Sequence, residues 1–190
     1  MKETLHKYIN SFVQLTKEEF ATFDEILTQK QFKKNELILE AGKICQRVWF
    51  ATDGYFRFFH IDSRGNEITS DFYFAPSFIS SFTSLLRESP SLVNIQAMSD
   101  MEVLEFTKKD LFKLYDNYPK IERLGRLIAE SVSIASEEHL FLLLNQTAEM
   151  RYKKLLEKNP KYVKIIPLQY IASYLGITQE TLSRIRKSVQ

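Results

Sequence analysis

IPLQYIASYLGITQETLSRIRKS, residues 166–188, reads as two short helices joined by a tight turn, a helix-turn-helix running from Pro167 to about Ser188. Two helices meeting steeply through a turn of three or four residues need a small side chain where they approach. Ala172 supplies it. The turn also needs a residue that tolerates positive φ, and Gly176 stands four positions later. Ile171, Leu175, Ile177, Leu182 and Ile185 are then the apolar positions that lock the pair onto a third helix. Thr178 is placed to cap the second helix, with Glu180 in its favourable first turn.

The other face of that second helix carries Gln179, Glu180, Ser183, Arg184 and Lys187. Arg suits guanine edges, Gln adenine and Glu cytosine. Thr181, Arg186 and Lys187 suit phosphates, which set register without reading sequence. The candidate DNA-binding set is therefore Thr178, Gln179, Glu180, Thr181, Ser183, Arg184, Arg186 and Lys187. A helical hairpin inside an ordinary core would explain neither this polar face nor the local charge. The chain as a whole has a net charge of +2, but residues 145–190 hold nine Lys or Arg against three acids, a net of +6, which leaves −4 on the first 144 residues. A solvated helical face would also account for the charge by itself; charge together with the motif points to a polyanion-binding module on an acidic body, with double-stranded DNA as partner.

The remaining composition excludes several classes. At 190 residues, 44% hydrophobic and 26% charged, the chain suits one core or two small domains. No apolar run is long enough to span a bilayer, so no membrane partner is expected. The opening MKETLHKYINSF lacks the apolar segment of a signal peptide, and a cytoplasmic protein is expected. Cys45 is the only cysteine, which rules out an internal disulfide, a thiolate zinc site and a four-cysteine iron–sulfur cluster. His6, His60 and His139 fall in three separate regions, without the converging His and carboxylate ligands of a metal oxygenase. No enzymatic activity and no cofactor are expected. His60 as a haem ligand and Cys45 as a redox thiol are each outweighed by a structural role in or beside a strand. The aromatic group Phe72, Tyr73, Phe74, Phe78 and Phe82 reads as core or pocket lining.

Upstream of the motif the pattern changes three times. Residues 3–28 show apolar positions at helical spacing, with Thr16 and Glu19 forming a capping box. From Lys30 to about Phe106 the period becomes two, in short β-branched and aromatic runs (ELILE, RVWFAT, GYFRFFHI, EITSDFYF, VNIQAM, EVLEF) broken by turns at Gly42, Gly54 and Gly65. That spacing predicts a sandwich or barrel rather than a parallel sheet. Residues 108–118 predict a short helix, and a long helix starts after Pro119. In the long helix Ile121, Leu124, Ile128, Ser131, Ala135, Glu138 and Leu142 recur at spacings of three and four, a heptad-like seam with Leu127, Ile134 and Leu140 beside it. Packing on the chain's own β-domain is one reading; dimerisation is favoured, since further apolar residues at Phe141, Leu143 and Leu144 need a second face to bury. AEMRYKKLLEK, from Thr147 on, predicts a helix ended by Asn159-Pro160, followed by an extended YVKIIP. With the chain ending just past the reading helix, any wing is expected around Tyr162 to Ile166.

The segment IASYLGITQETLSRIRK, behind a β-rich region and a long helix, resembles the Crp/Fnr family of transcription regulators, and most of all its short Bacteroidetes-type members. The resemblance covers the whole chain. It implies an α+β fold: an N-terminal β-roll of the cyclic-nucleotide-binding kind with flanking helices over 1–118, a dimerisation helix over 119–144, and a winged helix-turn-helix DNA-binding domain over 145–190. It also implies a homodimer on a two-fold symmetric site, with RNA polymerase as a further partner. The family's base-reading positions fall on Gln179, Glu180 and Arg184; Gln179 departs from the Arg of the cyclic-AMP-responsive members, so the same operator does not follow. Those members use a Gly-Glu pair and a downstream Arg that pairs with the cyclic phosphate. The matching stretch here is FAPSFISSFTSLLRESPSLVNIQAM, residues 74–98. Ser80 and Ser81 stand for Gly-Glu, Ser91 or Leu92 stands for the Arg, and Arg87 is four residues out of register. A buried phosphate needs a fixed cation, so no tight cyclic-AMP binding is expected. Phe78, Ser80, Ser81, Phe82, Arg87 and Ser91 form the candidate effector pocket, for an effector the sequence does not name. The alternative is a small-ligand signalling module that does not bind DNA.

Overall fold

The structure, a computed structural model, describes residues 1–189; Gln190, which closes the expected DNA-binding domain, lies outside the described residues. Two helices lead the chain, α1 (Lys2–Asn10) and α2 (Lys17–Glu25). The start of α2 is set by the expected capping box. The Thr16 hydroxyl accepts the Glu19 N–H at 3.2 Å and the Glu19 carboxylate accepts the Thr16 N–H at 2.6 Å, which satisfies two donors that a helix start leaves open.

Eight short strands follow: β1 (Thr28–Phe32), β2 (Leu37–Leu39), β3 (Arg47–Ala51), β4 (Tyr55–Ile61), β5 (Glu67–Phe74), β6 (Ser77–Ile79), β7 (Asn94–Ala97) and β8 (Met101–Thr107), with the short helix α3 (Phe82–Arg87) between β6 and β7. They form two four-stranded sheets, ordered β1-β8-β3-β6 and β2-β7-β4-β5. The pairs β1 with β8, β2 with β7, β3 with β6 and β3 with β8 are antiparallel, Thr28 to Phe32 running opposite Glu105 to Met101 and Trp49 of β3 lying opposite Glu105. Phe50, Phe56, Ile79, Ile95 and Leu104 are wholly buried in the core. The sandwich expectation holds. Its one deeply placed carboxylate of β8, Glu105, is matched by donors: Arg47 Nη1 and Trp49 Nε1 each reach it at 2.6 Å. Removing a charge's partners inside a protein costs far more than the pair contributes, so the three residues hold β3 and β8 in one register.

After α4 (Lys108–Asn117) comes the 27-residue helix α5 (Pro119–Asn145). A Cβ at Gly125 would lie 2.1 Å from the Tyr115 hydroxyl; the missing side chain lets α5 pass over the α4 ring. Contacts divide the chain into two units, one of Met1–Phe58 with Phe72–Glu130, the other of Phe59–Asp71 with Ser131 to the end. The first unit spends the N-terminal turns of α5 in its own core. Ile121 and Leu124 are buried there, and Leu127 and Ile128 pack against it. The first three positions of the expected seam, Ile121, Leu124 and Ile128, thus cover their own β-domain. Val132, Ile134, Leu140, Phe141 and Leu144 are the large apolar residues of α5 that stay exposed.

The second unit holds α6 (Ala148–Lys158), α7 (Pro160–Ile165), α8 (Leu168–Tyr174) and α9 (Gln179–Val189). The helix expected from Thr147 on is present, and the Thr147 hydroxyl caps it by accepting the Met150 N–H. The extended YVKIIP segment is a correction: residues 160–165 form a helix with Pro160 at its first turn. Proline presets the helical φ there and lacks only an N–H that would have been unpaired. Among the described residues no strand follows Thr107, so a wing at Tyr162 to Ile166 is not formed.

Candidate nucleic-acid interface

The pair α8–α9 is built as the residues demand. Ala172 is 2% exposed and Ile171, Leu175 and Leu182 are buried with Tyr152, Leu155 and Ile166 of the same unit. Gly176 has φ +67°. It closes α8 with two hydrogen bonds, Ile177 N–H to the Ala172 carbonyl (3.0 Å) and Gly176 N–H to the Ser173 carbonyl (2.9 Å). That is the Schellman pattern, which uses a left-handed residue to satisfy the last carbonyls of a helix. The Thr178 hydroxyl accepts the Thr181 N–H at 3.2 Å and pairs with the Thr181 hydroxyl at 3.1 Å, so it caps α9 as expected.

Leu182, wholly buried, turns one side of α9 inward, with Ile185 and Val189 half-buried. Gln179, Glu180, Thr181, Arg184 and Lys187 are exposed, while Ser183 and Arg186 are half-buried on the flanks. Glu180, Arg184 and Lys187 follow the spacing i, i+4, i+7 and so share one face. The backbone amide of Glu180 and the Thr178 hydroxyl hold the Glu180 carboxyl below the usual carboxylate range, with the Arg184 charge adding to this. It is therefore an ionised acceptor. Arg184, Arg186 and Lys187 form no ion pair among the described residues, unlike Lys153 with Glu149 (2.7 Å) and Lys158 with Glu138 (2.8 Å). An exposed face with donors, acceptors and unneutralised cations can hold phosphates and meet base edges.

One basic residue is consumed by the fold. Arg151 of α6 donates from Nε (3.1 Å) and Nη2 (2.8 Å) to the Leu175 carbonyl, and from Nη1 to the Gln146 carbonyl at 2.6 Å. It ties the end of α8 to the end of α5. Composition alone counts it with the free charge. Ser173 was also not singled out by sequence: its hydroxyl accepts the Thr69 N–H at 2.8 Å and donates to the Glu67 carbonyl at 3.3 Å, on the hairpin segment that belongs to the same unit.

The candidate effector residues are only partly brought together. Ser81 and Ser91 are buried and hydrogen-bonded to one another at 3.0 Å. The Ser91 hydroxyl also donates to the Val93 carbonyl (2.8 Å), and Ser80 donates to the Arg47 carbonyl (3.3 Å). Phe78 instead packs edge-to-face with Tyr8, Phe50 and Phe106. Phe82 and Arg87 are exposed on α3. The largest wholly buried side chain is one the sequence left unmarked, Arg57 of β4, whose Nε donates to Gln96 Oε1 at 2.9 Å. In GYFRFFHI it occupies an outward position of a period-two strand, which carries no sign of burial. Among the described residues there is no group of three or more His, Cys, Asp or Glu placed to hold a metal, and no helix long and apolar enough to cross a membrane.

Comparison with known proteins gives a match for the β-region. Residues 29–118 match the cyclic nucleotide-binding domain. No curated protein matches the chain. Among solved structures it is similar to FixK2 from Bradyrhizobium japonicum, at TM-score 0.75 and 20% identity over 86% of this chain and 84% of that one. It is also similar to the c-di-GMP-responsive global regulator CLP of Xanthomonas campestris, at TM-score 0.74 and 13% identity over 92% of each chain. A protein of Eubacterium rectale assigned to the Crp/Fnr transcriptional regulators matches at TM-score 0.70 and 16% identity, over 92% of this chain and 83% of that one. At these identities the likeness is one of fold.

Proposed function

We propose that this chain is a homodimeric, sequence-specific DNA-binding transcription regulator of the Crp/Fnr type that acts on transcription through RNA polymerase and does not respond to cyclic AMP. The observation that carries the reading is the exposed face of α9. Glu180, Arg184 and Lys187 line one side of a capped helix, held by Ala172 and Gly176 against its partner. The cyclic nucleotide-binding domain match and the three structural relatives support the family. In this reading Gln179, Glu180, Ser183 and Arg184 meet base edges, and Thr178, Thr181, Arg186 and Lys187 set register on phosphates. Two copies then take half-sites about 34 Å apart. In this reading Ser91 stands where the family's Arg would pair with a cyclic phosphate, and its hydroxyl is bonded to Ser81 at 3.0 Å, which supports the absence of a cyclic-AMP response.

A mobility-shift titration of the full chain against duplexes from upstream of its own gene tests this. One duplex is expected to be retained over its scrambled counterpart, with affinity falling steeply as salt rises. Equal or absent binding to all duplexes overturns the reading and favours a ligand-binding module. In isothermal titration cyclic AMP is expected to give no binding; a micromolar or tighter site removes that part of the proposal.

A further inference from the structure

Helix α7 stands directly ahead of the helix-turn-helix, where the sequence suggested a strand. Its Tyr162 and Val163 are half-buried, and Ile166 just beyond it is buried; the Ile166 N–H closes it on the Tyr162 carbonyl at 2.9 Å. The opposite side carries Lys161 and Lys164, both exposed. Three residues apart on a helix, they share one face. Neither forms an ion pair among the described residues, whereas Lys153 and Lys158 of α6 are paired with Glu149 and Glu138. Two uncommitted charges thus stand together, one link from the first turn of α8, which begins after Pro167.

In a docked helix-turn-helix the first helix crosses the phosphate backbone while the second enters the major groove. A basic face that runs into the start of that first helix lies beside the backbone. We propose that α7 is a second DNA contact, in which Lys161 and Lys164 hold backbone phosphates next to the groove read by α9. A helix thereby takes the part a β-wing would have. This rests on the DNA-binding reading above. Phosphate contacts weigh the same on any sequence, so the surface adds affinity without adding base preference.

The test uses the full chain and a random-sequence 30-base-pair duplex, with fluorescence anisotropy followed through a salt series. Each phosphate contact contributes about 0.9 to the slope of log affinity against log salt, so K161A/K164A is expected to flatten the slope by about 2. K161R/K164R is expected to restore it. K33A/K43A, which removes two exposed charges from the first unit, is expected to leave it unchanged. A K161A/K164A slope equal to that of the unaltered chain overturns the α7 contact alone. An unaltered chain that binds no duplex overturns the DNA reading and this surface with it.

Discussion

Glu180 and Arg184 lie one helical turn apart on the open face of α9, and the Glu180 carboxyl is held below the usual carboxylate range. A planar guanidinium fits the two acceptors of a guanine edge, and losing such a bidentate pair costs about 1–3 kcal/mol. Arg184→Ala is therefore expected to weaken binding to a selected duplex by that amount and to relax preference at one base pair per half-site. Arg184→Lys should recover the phosphate attraction without the preference, because an ammonium is a point charge. Competition binding against single-base variants of the duplex reads both effects; an unaltered base profile for Arg184→Ala would remove Arg184 from the reading set. The residue types of this face were legible in the sequence because exposed polar side chains on a short helix report their own chemistry. Arg151 and Arg57 were not. Each is spent on a group distant in the chain, Leu175 for one and Gln96 for the other, and only the tertiary fold brings those groups within reach.

Elements were legible where caps and periodicity agreed. Thr16 with Glu19, Thr147, Thr178 and Gly176 all end or begin helices as their chemistry requires. They failed where a short segment admits two periods. YVKII is β-branched enough for a strand, yet Pro160 ahead of it suits a helix start, and the burial of Ile166 with half-buried Tyr162 and Val163 follows helical spacing. Another element-scale consequence concerns α5 and α8. His139 stacks on Tyr174 at 4.3 Å between ring centres. Burial, and then the Arg151 charge, lower its pKa below the ordinary imidazole value of 6.5. The native state therefore favours the neutral ring, and the unfolded chain binds the extra proton first. Stability from this contact is present above pH 6.5 and is lost as pH falls through that value toward the lower folded one. The unfolding midpoint of the second unit is expected to fall between pH 7 and pH 5.5 in a fluorescence melt. His139→Gln should flatten that dependence; an equally steep loss in the variant would place the titrating group elsewhere.

For the whole molecule the decisive surface is the exposed half of α5. Ile134 is 60% exposed, Phe141 61% and Leu144 74%. Ile134 and Phe141 are seven residues apart and Leu144 follows three later, the spacing of a two-helix seam. Single exposed apolar residues need no explanation, but a row of them on one helix marks an interface. The sequence suggested a seam running from Ile121, Leu124 and Ile128 through Ser131, Ala135 and Glu138 to Leu142, because heptad spacing does not distinguish a partner's helix from the chain's own core. The first three are covered at home, so the seam proposed for a dimer is left to the C-terminal half of the helix. Each large apolar side chain buried there contributes about 1.5–3 kcal/mol. I134E/F141E is accordingly expected to run as a monomer in sedimentation velocity with its melting temperature little changed. Ile128→Glu should lower the melting temperature through the first unit's core. Since two linked reading helices bind with avidity of about 10²–10⁴ over one, the monomeric variant should lose selected-duplex binding by a factor of that order. A double variant that sediments as a dimer would place the association surface outside α5, and with it the two-fold register assumed for the half-sites.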